Sequence, residues 1–248
     1  MTLTVQRAAD RFLTDIDWLD SKHSFNFGGH YREGDNGHGL LLVNNDDTVA
    51  PGGGFGTHGH RDMEIITWVL SGKLEHRDSE GNHGVLYPGL AQRMSAGSGI
   101  RHSEQNASES EPVHFVQMWV LPDSSGIKPG YEQRDINDAL AGGQLVPIAS
   151  GKGHDGAVAI HQKDAVLWGG RIPAGATVDV PSDEHVHVFV ALGDGGLSGG
   201  LTEGGLTEGG VTDGTSLSTG DGVRITGAST LHFTAGDDGA ELLVWATA

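Results

Sequence analysis

The 248 residues suffice for one large domain or two small ones with proper cores, so no covalent staple is required. The absence of cysteine excludes disulfides, thiolate metal sites and cysteine nucleophiles, and leaves His, Asp and Glu as the available metal ligands. A formal charge of −18, from 33 acidic and 15 scattered basic residues, opposes direct binding to a nucleic-acid backbone and favours solubility.

In chain order, the N-terminal stretch MTLTVQRAADRF lacks a signal-peptide apolar core, and no run of about 18 apolar residues occurs anywhere. The expectation is a soluble, cytoplasmic protein with no membrane association. Strand signals then dominate. HGLLLVNND (38–46), MEIITWVLSG (63–72), KLEHRD (73–78), HGVLYPG (83–89) and VHFVQMWVLP (113–122) are apolar or alternating runs. Turn-forming stretches such as DSEGNHG (78–84) separate them. With 41 glycines along the chain, this pattern predicts an all-β meander or Greek-key sandwich. A short helix is predicted within YEQRDINDALAGG, ended by the glycines at 142 and 143.

The strand pattern restarts in AVAIHQ, AVLWGGRI, VHVFVALG, GVRITG, TLHF and ELLVWATA. Two β-units of similar length follow, joined near residues 123–147, with internal duplication as the natural explanation. Residues 1–134 form the first unit and 135–248 the second. The second carries a glycine-rich insert, 195–222, in which LTEGG, LTEGG and VTDGT recur every five residues. That period fits neither strand nor helix, so a long irregular hairpin excursion is expected. An ordered acidic loop binding an ion through Glu203, Glu208 and Asp213 is the alternative.

The chemistry concentrates in GGGFGTHGHRDMEIITWVLSG (52–72) and GIRHSEQN (99–106). Side chains two apart on a strand share a face, so His58 and His60 converge, as do His102 and Glu104. Two such pairs on strands facing each other inside a small barrel make a four-ligand site of three imidazoles and one carboxylate. Glycines around both pairs leave room for something to approach. Glu64 has two readings: a side chain entering the cavity, or an acceptor that orients a ligand histidine. Arg61 and Arg101 sit at odd offsets and are expected to form salt bridges outside the barrel. Met94 and Trp68 are assigned to cavity lining or core, and Phe25, Phe27 and Trp119 to the core.

The order His58-Gly-His60, Glu64, Gly72, then Gly97, Gly99, His102 and Asn106, resembles the two motifs of the cupin superfamily. GFGTHGHRDMEIITWVLSGKLEHRDSEGNHG, RMSAGSGIRHSE and QMWVLPDSSGIKPGYEQR resemble the N-terminal cupin of the pirin family, over about residues 17–134. The resemblance implies two tandem cupin barrels, double-stranded β-helix jelly rolls, with metal in the first only. It assigns His58, His60, His102 and Glu104 as ligands and leaves Glu64 out. Members commonly have proline where this chain has Gly59. In the second half His185 and His187 lack a second ligand pair and His232 is alone, so packing or hydrogen bonding is expected for them.

The resemblance further implies quercetin 2,3-dioxygenase activity. In that reaction the flavonol 3-hydroxyl loses its proton, the substrate binds the metal, and dioxygen opens the central ring with release of carbon monoxide. The expected cofactor is one divalent metal ion, Fe(2+), although the ligand set also suits Mn, Ni, Co, Cu or Zn. Glu104 is assigned a second role as proton acceptor, being the carboxylate nearest a coordinated hydroxyl. The expected partners are a flavonol and dioxygen, and a monomer is the default state. The alternative is an iron-dependent redox-sensing or regulatory protein acting through a protein partner. A third reading keeps the metal cupin and replaces the flavonoid with another small molecule.

Overall fold

The computed structural model describes residues 1–199, 214–227 and 230–248. Among them the chain is nearly all strand, with a 3-10 turn at Ala8–Asp10 and one α-helical turn at Asn137–Leu140. No helix is long and apolar enough to cross a membrane. The predicted strands are found at Leu41–Val49, Glu64–Ser71, Leu74–Asp78, His83–Leu86 and Val113–Val120. The expected helix shrinks to four residues because Gly130–Asp135, the first half of that stretch, is drawn into a sheet against Leu90–Ser95.

The first half folds as two facing sheets. A seven-stranded antiparallel sheet runs in the order 130–135, 90–95, 64–71, 113–120, 41–49, 19–23, 12–16. A four-stranded sheet runs 54–60, 100–106, 74–78, 83–86. Leu74 and Leu86 of the smaller sheet are fully buried against Val49, Val69, Val113 and Phe115 of the larger. Alternation places these residues inward, and their burial closes the sandwich.

The second half centres on a nine-stranded sheet in which the long strands His185–Gly199 and Leu231–Thr247 pair over most of their length. The ends of the glycine-rich insert are paired strands: Asp194 to Leu197 run antiparallel to Thr215–Ser218. Its repeats, with Glu203, Glu208 and Asp213, lie outside the described residues. The first strand, Thr2–Gln6, pairs with Gly222–Thr226. Although it lies within residues 1–134, it is built into the sheet of the second half. One apolar cluster spans both halves, joining Phe25, Trp68 and Met118 to Ile148, Phe189 and Trp245.

Candidate metal centre

His58 and His60 lie on Gly54–His60, and His102 and Glu104 on Ile100–Asn106. The two strands are hydrogen-bonded neighbours in the four-stranded sheet, with His102 directly opposite His58. This corrects the expectation of strands facing each other across the barrel. The register slips after His102, so that Glu104 pairs with Phe55. Such a bulge re-aims side chains on a strand.

The ligand-type nitrogens of His58, His60 and His102 come within 4.8 Å of one another. The Glu104 carboxylate falls in a second group with the same spacing, together with His102 and His76. His102 is common to both. His76 was not singled out from the sequence, yet it is fully buried on Leu74–Asp78, opposite Glu104. Its Nε2 lies 3.2 Å from Asp78, its Nδ1 lies 3.5 Å from Nδ1 of His102, and its ring stacks on Tyr131. Asp78, His76 and His102 thus form a string that fixes the His102 ring, the usual support of a metal-binding imidazole.

Whether these residues suit a metal is decided by their free atoms. Nε2 of His60 and Nε2 of His102 are buried with no hydrogen-bond partner. His58 donates from Nδ1 to the Gly56 carbonyl at 2.8 Å, which leaves Nε2 as the ring nitrogen that can face a metal. Burial, reinforced by the neighbouring imidazoles, lowers the pKa of His60 to about 4 and that of His102 to about 3. Neutral imidazoles whose Nε2 atoms are buried without a partner, as in His60 and His102, are poorly solvated without a cation, and with the His58 ring beside them they fit a divalent metal.

The Glu104 carboxylate is held from two sides. Gln117 donates to Oε2 at 2.7 Å, and the Thr67 hydroxyl lies 3.5 Å from Oε1. Gln117 in turn accepts from the Trp119 indole at 3.1 Å. Trp119 stands edge-on to His60, with ring centroids 4.9 Å apart. A cavity of about 420 Å³ opens beside His58, His60 and Glu104, with apolar walls from Leu19, Phe27, Phe55 and Trp119. Phe27 and Trp119 therefore line the cavity rather than the core, while Phe25, Trp68 and Met94 are buried in apolar clusters.

Glu64 does not reach the metal group. Asp62 takes a left-handed backbone (φ 49°) that breaks the strand after His60, and Glu64 begins a strand of the other sheet. There it accepts from Ser95 and from the backbone of His161, tying the two halves together. Arg61 and Arg101 also depart from expectation, since neither has a carboxylate partner among the described residues. Arg101 donates to the Thr57 carbonyl at 3.3 Å, and both line an open groove outside the barrel. In the second half, His187 is buried between Phe25 and Phe189, His185 packs on His38, and His232 lies 2.7 Å from Asp179.

Comparison with known proteins gives the family. The pirin family profile matches residues 4–120, and a quercetinase C-terminal cupin domain matches residues 147–245. A Mycobacterium bovis protein provisionally named quercetin 2,3-dioxygenase is 51% identical over 98% of this chain and 94% of its own length. The quercetin 2,3-dioxygenase of Escherichia coli K12 is 47% identical over 64% of this chain and 67% of its own. The bacterial pirin YhhW of Escherichia coli, solved in complex with nickel(II), superposes with a TM-score of 0.82 at 33% identity, covering 98% of this chain and 97% of YhhW. The two halves are thus two tandem cupin barrels, and the chain belongs to the pirin family.

Proposed function

We propose that the protein is a flavonol dioxygenase of the quercetin 2,3-dioxygenase type, using one divalent metal, Fe(2+), held by His58, His60, His102 and Glu104. The observation that carries this reading is the set of three clustered imidazoles, two with unpartnered buried Nε2 atoms, at the side of a largely apolar cavity. At about 420 Å³ the cavity falls in the range, roughly 300–1,000 Å³, that encloses a molecule of flavonol size.

When bound, the metal supplies Lewis-acid stabilisation of a substrate oxyanion and the electronic chemistry that dioxygen requires. The protein's own residues do the rest. Phe27, Phe55 and Trp119 offer aromatic faces and edges to a planar ring system and keep water from it. Glu104, oriented by Gln117 and Thr67, takes the proton of the 3-hydroxyl. The names carried by the Mycobacterium and Escherichia relatives support the same substrate class.

The test is elemental analysis of the purified protein combined with quercetin absorbance in air. Chelator-sensitive loss of quercetin with carbon monoxide release is expected. Glu104→Gln should keep part of the metal while turnover falls by about 10²- to 10⁴-fold. Quercetin left intact by metal-loaded protein would overturn the assignment.

A further inference from the structure

The cavity wall formed by the larger sheet carries polar groups that the metal centre does not use. On three neighbouring strands, Thr14 lies opposite Ser21, Ser21 opposite Asp47, and His23 opposite Asn45. Ser21, His23, Asn45 and Asp47 are buried and line the cavity, an uncommon use of inward positions on strands that otherwise bury apolar side chains.

Their contacts are continuous. The Ser21 hydroxyl donates to Asp47 Oδ1 in a short hydrogen bond, and its oxygen lies 3.5 Å from His23 Nε2, the longest step. His23 Nε2 is 2.9 Å from the Thr14 hydroxyl, which is itself 2.9 Å from His30 Nε2. His23 Nδ1 is 2.8 Å from Asn45 Oδ1. That bond makes Nδ1 the donor and leaves Nε2 free to accept from either hydroxyl. His30 is half-buried beside the exposed Gly28 and Gly29 at the cavity rim. Every member of the row both donates and accepts, or changes charge.

We propose that this row is the proton exit of the cavity, carrying a proton from Asp47 through Ser21, His23 and Thr14 to His30 and water. The proposal rests on the oxygenase reading above. Loss of carbon monoxide from a neutral flavonol plus dioxygen leaves a carboxylic acid, which ionises at neutral pH, so one proton must reach solvent per turnover. The substrate O–H bond breaks, its electron pair stays on the substrate oxygen, and Glu104 takes the proton; the proton then leaves Glu104, whose electron pair stays on its carboxylate, for an oxygen of Asp47, which lines the same cavity. Each hydroxyl and imidazole then passes one proton outward, and His30 delivers one to water.

Burial, against the Ser21 hydrogen bond and with the charges of Asp46 and Glu104, raises the Asp47 pKa to about 7, so both of its forms are accessible. Arg11 is the cation facing it. Burial lowers the pKa of His23, which faces Asn45, His30 and Arg11, so its imidazole is neutral at rest.

Thr14→Val removes the only hydroxyl that joins His23 to His30 among the described residues, and keeps the side-chain shape. The Asp47 carboxyl band, assigned by its loss in Asp47→Asn, is followed by infrared spectroscopy after a pH jump across 7, without substrate. Thr14→Val should slow its relaxation about tenfold or more, and lower kcat on quercetin about tenfold with KM and metal content unchanged. Thr14→Ser should restore both. Unchanged relaxation in Thr14→Val, a carboxyl band that does not respond near pH 7, or unchanged turnover would each overturn the proposal. If the wild type fails to consume quercetin, the oxygenase reading falls, and the infrared arm alone decides whether the row conducts protons.

Discussion

Gln117 shows how much of the centre depends on a residue that is no ligand itself. Its amide holds Glu104 at 2.7 Å and is held by Trp119, so the carboxylate cannot rotate freely. Gln117→Leu should weaken metal binding by about 10- to 100-fold in competition against a chromophoric chelator, whereas equal affinity would show that Glu104 needs no such support. Asp47 sets a pH dependence. Its pKa is about 7 in the folded protein against 3.8 normally, so folding retains a proton that the unfolded chain releases between those values. Its contribution to stability is therefore full below about pH 3.8 and is lost as pH rises through 7. Asp47→Asn should melt higher than the wild type at pH 8, with the difference shrinking towards pH 4; equal Tm values at pH 8 would place the titration elsewhere. That His58 sits beside His60, and His102 near Glu104, is legible in the sequence because side chains two apart on a strand share a face. Asp47 and His76 carried the same signal unread, as polar residues in phase with Val43, Asn45 and Val49, and with Leu74. Only closure of the barrel shows that those phases point inward.

At the scale of elements, the loop before Ile100–Asn106 sets where His102 and Glu104 lie. Gly97 has φ 46°, and a Cβ there would stand 2.1 Å from the Ile127 carbonyl oxygen. Because that oxygen is backbone, the clash cannot be relieved by a rotamer. Gly97→Ala should cost about 1–3 kcal/mol in urea unfolding and loosen metal binding with it, whereas wild-type stability would mean that the loop yields easily. Strand positions were readable because apolar alternation is local. Their neighbours were less so, because 41 residues separate the two ligand pairs and nothing in either strand dictates pairing side by side. Likewise, the break at Asp62 that diverts Glu64 is a single left-handed residue in a run that otherwise reads as continuing strand.

For the whole molecule, the apolar cluster shared by both halves and the Trp68 to Glu241 hydrogen bond of 2.7 Å predict one cooperative unit. Calorimetry should give a single unfolding transition, and Glu241→Ala, which leaves the buried Trp68 N–H unpaired, should lower stability by about 1–3 kcal/mol. Two resolved transitions would mean that the barrels fold independently. The shared core and the pairing of Thr2–Gln6 with Gly222–Thr226 escape sequence reading because both join positions far apart in the chain, where periodicity carries no information. Whether His58, His60, His102 and Glu104 surround one cation can be seen in an anomalous difference map from metal-loaded crystals. One peak is expected, about 2.0–2.2 Å from nitrogens of the three histidines and an oxygen of Glu104. A peak held by His76, His102 and Glu104 with His58 and His60 free, or no peak at all, would contradict it.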